Sequence, residues 1–276
     1  MSLPRTQLIG AARAEREGLG RTIQFAPPDS WEAPSACDGW WNRDVMAHLA
    51  SHEYSAAQLL AGERAEELED YREGLGDEPF SIDAYNSIVV NRRSGLPYRD
   101  VLTHWGRAAD LLLERAADLT EEEWSTRRVN WMAGEIGVPY LIQSRVVEWW
   151  LHGDDIRAGA GLGIRLEHWP IYLTNDLAIR MLPWSLGRAG INARGRSVRV
   201  DLEGAGAGSW RWGLGAGELP DEDRKPDAFI EGRGLVFAKI AGRRLPAEAA
   251  LDEGSLVIGG DEGLGDAILE HIRAYP

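Results

Sequence analysis

At the glycine-rich run Gly159-Ala160-Gly161-Leu162-Gly163 the patterning of this chain changes, and that change bounds what it can fold into. Upstream, apolar residues recur at three- and four-residue spacing, the signature of amphipathic helices. Downstream, short alternating runs separated by glycine-rich turns read as strands. The two periods demand two kinds of packing. The sequence therefore predicts an α+β protein, with a helical bundle over residues 1–163 and a small α+β domain over residues 164–276. A length of 276 residues fits two domains of ordinary size.

In the first part, an amphipathic helix is expected from about Leu3 to Leu19, stopped by Gly18 and Gly20. The segment Phe25 to Trp41, with Pro27, Pro28 and Pro34, reads as loop. Asn42 can cap a second helix running to about Ala61, with Asp44 in the first turn at the positive end of the helix dipole. Gly62 to Pro79 is acidic and reads as an exposed excursion, and Ser81 can cap a shorter helix through Asn91. A long helix follows from Tyr98 to Leu119, carrying His104 in a structural role. After a capping box at Thr120 to Glu123 the chain reads as loop to Met132. From Ile136 the last long helix runs to the glycine run. The second part reads as a helix from His168 to Leu182, a hairpin of Ser197–Leu202 with Ser209–Leu214, and a strand Asp227–Gly232. A helix Leu235–Ala241, a strand Ser255–Ile258 and a closing helix Gly263–Arg273 complete it.

The last helix of the bundle contains Glu148-Trp149-Trp150-Leu151-His152-Gly153-Asp154-Asp155. Residues four apart on a helix lie one above the other, so Glu148 and His152 present a carboxylate and an imidazole side by side. Such a pair can hold a divalent metal once a third ligand joins it. On the second helix His48 and His52, also four apart, flank the core stripe of Val45, Leu49, Ala56 and Leu60, and spacing makes them equal candidates. Bundles build metal sites from side chains on facing helices. The tryptophan pairs Trp40-Trp41 and Trp149-Trp150 read chiefly as packing, since adjacent helical positions diverge.

Charge narrows the partners. With 44 acidic against 30 basic residues the formal charge is −14, which repels phosphate backbones and anionic lipid surfaces, so neither nucleic acid nor membranes are expected. No signal-peptide pattern and no spanning-length apolar stretch are present, and a cytoplasmic location is expected. The single cysteine, Cys37, has only Asp38 beside it and reads as structural. No phosphate-loop context or serine or cysteine nucleophile motif is found.

The motifs Asp38-Gly39-Trp40, Arg43-Asp44-Val45 and Ala47-His48-Leu49-Ala50, with Glu148, His152 and Asp155-Ile156, resemble the mycothiol-dependent maleylpyruvate isomerase family, a branch of the DinB-like metalloenzymes. Asn91-Arg92-Arg93 to Leu102 is also similar, and the second half, including Ala241-Gly242-Arg243, resembles the sterol-carrier-like domain of those proteins. The resemblance implies a DinB-like four-helix bundle followed by a sterol-carrier-like α+β domain. It implies His48, Glu148 and His152 as catalytic metal ligands, leaving His52 as a residue that supports the ligands, faces the substrate, or is structural. Asp44 and Asp155 are then either caps or groups that orient the ligating imidazoles. The implied cofactors are a divalent metal, zinc first, and mycothiol as thiol cosubstrate. The implied chemistry is a metal-activated thiolate that adds to or transfers onto a small electrophile, as S-transferase or cis-trans isomerase. A polar cofactor needs cationic partners in an acidic protein, and Arg243 is the expected cofactor-binding residue, acting at a cleft between the two domains. The alternatives are a thiol-independent metal-dependent hydrolase or lyase, and a non-catalytic metal-containing binding protein.

Overall fold

The computed structural model describes residues 3–132, 134–221 and 223–275, which separate into two compact units, Met1–Arg165 and Leu166–Pro276. The first unit is helical: α1 (Arg5–Phe25), a 3-10 turn (Pro28–Glu32), α2 (Asn42–Leu60), α3 (Glu66–Leu75), α4 (Ile82–Asn91), α5 (Tyr98–Asp118), α6 (Glu121–Thr126), and α7 (Val138–Gly159). A short antiparallel hairpin, β1 (Arg128–Trp131) with β2 (Gly134–Gly137), precedes α7. Four long helices, α1, α2, α5 and α7, form the bundle, with α2 against α5 and α1 against α7. Their inward faces carry Leu8, Leu19, Leu49, Leu60, Trp105, Leu112, Val146 and Trp149, all at most 1% exposed.

Several local expectations change once tertiary contacts are counted. Helix α1 does not stop at Gly18 but runs to Phe25, because the missing side chain lets Arg165 lie over it; a Cβ at Gly18 would meet that guanidinium at 2.0 Å. Asn42 is not the cap of α2. It is the first helical residue, fully buried, and its amide donates to the Ser30 carbonyl at 2.9 Å, while Asp44 accepts the Trp41 N–H at 3.0 Å. The acidic stretch after Gly62 is not a bare excursion but contains α3, anchored by buried Leu68 and by Glu67, which takes Arg93 at 3.0 Å. The segment before Met132 is not loop but strand β1, with Val129 and Trp131 buried. His104, read as structural, is exposed on α5 at the edge of a 270 Å³ cavity with Tyr54, Arg93 and Arg107.

The second unit holds α8 (His168–Arg180), α9 (Leu182–Arg188), β3 (Ser197–Glu203), β4 (Gly208–Gly213), β5 (Ala228–Arg233), α10 (Gly234–Ala241), α11 (Ala247–Asp252), β6 (Leu256–Gly260) and α12 (Glu262–His271). The sheet order is β4-β3-β5-β6; β3 pairs antiparallel with β4 and parallel with β5, which pairs antiparallel with β6. Val198, Val200, Ala228 and Ile230 point from the sheet to Phe237, Ile240 and Ile268 in a core at most 3% exposed. The molecule is thus α+β, a helical first part and a small sheet domain after it.

No helix among the described residues is long and apolar enough to cross a membrane.

Candidate metal centre between two bundle helices

Helix α7 sets out four of its polar residues on one face. Arg145, Glu148, His152 and Asp155 are spaced three, four and three apart, which keeps them along one seam of the helix. Helix α2 faces this seam with His48, His52 and Glu53, all at most 3% exposed. Burying charged groups at such a seam is costly unless they satisfy one another. His48, His152 and Arg145 converge on one atom.

That atom is Oε2 of Glu148. His48 Nε2 lies 3.2 Å from it, His152 Nε2 3.4 Å and Arg145 Nη2 3.5 Å. The nearest donor atoms of His48, Glu148 and His152 all lie within 4.8 Å of one another. Donors held at 2.0–2.2 Å by a tetrahedral zinc stand about 3.3–3.5 Å apart. The two separations from Glu148 match that spacing, so the donor set has the chemistry and the spacing for a divalent metal. His52, equal to His48 by spacing, is turned elsewhere: its Nε2 meets Asn86 Oδ1 at 3.0 Å, and its ring packs 4.1 Å from His48 and 5.9 Å from Trp131, centroid to centroid.

The groups behind the donors fix their directions. His152 Nδ1 is 2.9 Å from Asp155 Oδ2, so the proton sits on Nδ1 when the ring is neutral, leaving the Nε2 lone pair aimed at the centre. Asp44, in contrast, accepts the Trp41 N–H at 3.0 Å in the cap of α2. Cys37, expected to be structural because only Asp38 adjoins it in sequence, has Asp155 as its neighbour in space: its thiol donates to Oδ2 at 3.1 Å and lies 3.7 Å from His152 Nδ1. Behind Glu148, Glu53 accepts the Trp149 indole N–H at 2.7 Å and faces Arg145 Nε at 3.3 Å, while Arg145 lies over the Trp131 ring, 5.4 Å from its centroid. Arg145 and Glu53 form a fully buried ion pair that sequence reading passed over. The signal was present, since an arginine at the core-facing position three before Glu148 has no solvent to reach.

The electrostatics follow from burial and pairing. Desolvation lowers His48 to a pKa of about 4, the Glu148 hydrogen bond only partly opposing it, so this imidazole is neutral. Desolvation and the adjoining His48 hold His52 well below its ordinary value. For His152 burial works in the same direction, but hydrogen bonds to Asp155, Cys37 and Glu148 overcome it and hold the ring well above its usual range. Burial pushes Glu148 up, and the hydrogen bonds from His152 and His48 reverse this and hold it well below the usual carboxylate range. The site without metal is therefore a Glu148 carboxylate paired with a His152 imidazolium. Burial raises Glu53 to about 7 against the opposing pull of Arg145 and Trp149.

Arg243 lies in the second unit, in the turn after α10. It is the only non-glycine among the described residues with a positive φ, 63°. Its N–H bonds the Ile240 carbonyl at 2.9 Å and that of Arg244 bonds Lys239 at 2.8 Å, a helix-ending pattern that favours glycine at the Arg243 position. The exposed guanidinium has no hydrogen-bond or ion-pair partner among the described residues, and it borders an open groove of about 750 Å³ with Ile240, Leu251 and Leu269 below it.

A helical bundle that gathers two imidazoles and a carboxylate from facing helices has the architecture by which bundle proteins build metal sites. The sequence profile described as mycothiol maleylpyruvate isomerase N-terminal domain matches residues 12–157, more than half of the chain, and the chain belongs to that family. Two solved structures share its fold. The crystal structure of the mycothiol-dependent maleylpyruvate isomerase is 16% identical and superposes with a TM-score of 0.60 over 88% of this chain and 90% of its own. A single-residue mutant of that enzyme, also 16% identical, gives 0.59 over 87% and 90%. Comparison with curated proteins returns no match.

Proposed function

We propose that this protein is a thiol-using isomerase or S-transferase acting on a small electrophilic substrate, with His48, Glu148 and His152 as ligands of a divalent metal, zinc fitting best, and mycothiol as the thiol. The observation that carries the reading is the convergence of His48 Nε2 and His152 Nε2 on Glu148 Oε2 at 3.2 and 3.4 Å, in a chain whose residues 12–157 match the family's N-terminal domain. A metal held there supplies a Lewis acid that lowers the pKa of a thiol bound to it. The chain's own residues supply the rest. Asp155 keeps the His152 proton on Nδ1, and the buried Arg145–Glu53 pair keeps Glu148 from swinging out of the seam. Trp40, with its ring centroid 5.3 Å from that of His48, and Trp131 beside His52 make aromatic walls that limit water around the donors. Arg243 supplies a planar two-pronged donor for the polar cofactor or for a carboxylate of the substrate, a role supported by its guanidinium, unpaired among the described residues, beside an open groove.

The test pairs metal analysis with turnover. Purified protein should carry about one equivalent of metal and His152→Ala almost none; full occupancy in the variant sinks the ligand set. The wild-type protein should isomerise or conjugate a conjugated cis electrophile only when thiol is added, and turnover without thiol would point to a metal-dependent hydrolase or lyase. Arg243→Ala should keep its metal while thiol or substrate KM rises about tenfold or more; an unchanged KM removes Arg243 from the site.

A further inference from the structure

Cys37 is the second donor to the carboxylate that holds His152. Asp155 is 2% exposed, and two side-chain donors converge on a single one of its oxygens, the His152 Nδ1 at 2.9 Å and the Cys37 thiol at 3.1 Å. Nothing local brings Cys37 there, since it is 118 residues from Asp155. The loop between the 3-10 turn and α2 does so. Cys37 N–H donates to Ser35 Oγ at 3.0 Å, Trp40 N–H returns to the Cys37 carbonyl at 3.1 Å, and Ala36 N–H reaches the backbone carbonyl of Asp155 itself at 3.4 Å. At the end of α7 the absence of a side chain on Gly159 lets Pro34 and Asn42 approach; a Cβ there would meet the Pro34 carbonyl at 2.8 Å. Loop and helix are thus closely fitted on both sides of the thiol.

We propose that Cys37 is a positioning residue for the metal centre, acting through Asp155 on His152. A carboxylate oxygen with one donor can rotate toward solvent or pivot about its χ angles; a second donor from a separate, backbone-anchored loop removes that freedom, and with it the freedom of the imidazole to turn its Nε2 away from Glu148. The thiol does this as a proton donor. The distances of 2.9 and 3.1 Å are those of two hydrogen bonds accepted by one oxygen, although the Cys37, His152 and Asp155 donors also lie within 4.8 Å of one another, a spacing that a metal also spans. Against that, His152 already directs its other nitrogen toward Glu148, 3.4 Å away.

The inference rests on the metal reading above, and its test separates the two. In the metal-free full-length protein, the Nδ1 proton of His152 should give a downfield, slowly exchanging resonance in ¹H–¹⁵N spectra. Cys37→Ala should shift it upfield and speed its exchange with water, and Cys37→Ser, which keeps a donor, should largely restore it. Zinc affinity, read by competition with a chelating dye, should fall about tenfold in Cys37→Ala and return to within about threefold of wild type in Cys37→Ser. Thermal melting of each variant reports whether it is folded; should Cys37→Ala unfold, Cys37→Ser compared with Cys37→Val carries the same contrast. An unchanged His152 resonance together with unchanged zinc affinity in the alanine variant overturns the proposal. So does an intense thiolate-to-metal charge-transfer band in the cobalt-loaded wild type, which would make Cys37 a ligand. A wild-type protein that binds no zinc at all would defeat the metal reading instead, and the resonance comparison would then decide the Cys37–Asp155–His152 contact by itself.

Discussion

At the scale of residues, three histidines on two helices differ in charge because their neighbours differ. His48 has one carboxylate partner and full burial, which brings its pKa down to about 4, whereas His152 has two carboxylates and a thiol about it and is held well above its ordinary value. Near pH 7 the metal-free site therefore carries one proton, on His152, and none on His48. Only neutral imidazole can ligate, so metal binding at neutral pH should release about one proton per metal, not two. Calorimetric titration with zinc in buffers of different ionisation enthalpy measures that number. Affinity should fall about tenfold for each pH unit below the His152 pKa, with His48 contributing further only as pH approaches about 4. The same groups act oppositely on the metal-free fold. The raised His152 contributes stability present in acid and lost as pH rises through its folded value, and the lowered His48 contributes stability present above its unfolded value of 6.5 and lost as pH falls toward about 4.

At the scale of elements, the contact that matters most to the site is between helix α7 and the loop before α2. Glycine inside a helix ordinarily costs about 0.5–1 kcal/mol relative to alanine, so Gly159→Ala would be stabilising if only propensity counted. Here the added Cβ would meet the Pro34 carbonyl at 2.8 Å and the Asn42 side chain at 2.9 Å. Neither can yield cheaply, since one is backbone and the other is fully buried and bonded to Ser30. Overpacking of this kind costs about 1–3 kcal/mol and outweighs the propensity gain. The expected result is a net loss of about 1–2 kcal/mol in chemical denaturation, with zinc affinity weakened as the loop is pushed from Asp155; a stabilised Gly159→Ala would show that the loop moves freely.

At the scale of the whole molecule, the first unit ends later than the glycine run suggests. Arg165 lies beyond Gly163, yet it donates to both oxygens of Glu15, at 2.8 and 3.0 Å, where Glu15 is 1% exposed, and its carbonyl accepts the Trp150 indole N–H at 3.4 Å. Removing one partner of a buried pair leaves an uncompensated charge and costs about 3–5 kcal/mol. A fragment of residues 1–165 should therefore fold and bind zinc, because every proposed metal ligand lies within it, whereas a fragment of residues 1–163 should be less stable by several kcal/mol, of the order of that cost. Comparing their thermal melts and zinc content checks this; equal stability would mean that Glu15 finds another partner.

What the sequence determined is what short-range physics can dictate. The two periods of hydrophobic residues, 3.6 before Gly159 and 2 after Gly195, fixed the α+β class and four long helices, because each element must bury one face wherever it ends up. The pairing of Glu148 with His152 was legible for the same reason, being one turn of one helix. The choice of His48 over His52 as the neighbour of Glu148 was open to spacing and came from the family motif; in the structure it follows from the facing of α2 and α7. Elsewhere only tertiary structure decided. The hairpin of β1 with β2 is too short to announce itself and exists because Val129 and Trp131 find a core to enter. The buried Arg145–Glu53 pair joins two helices 92 residues apart in sequence, since 145 − 53 = 92. Cys37 beside Asp38 in sequence gave no hint of Cys37 beside Asp155 in space. Contacts of that kind carry no periodic signal, since their energy comes from excluding water around partners that the chain must first close a long loop to bring together.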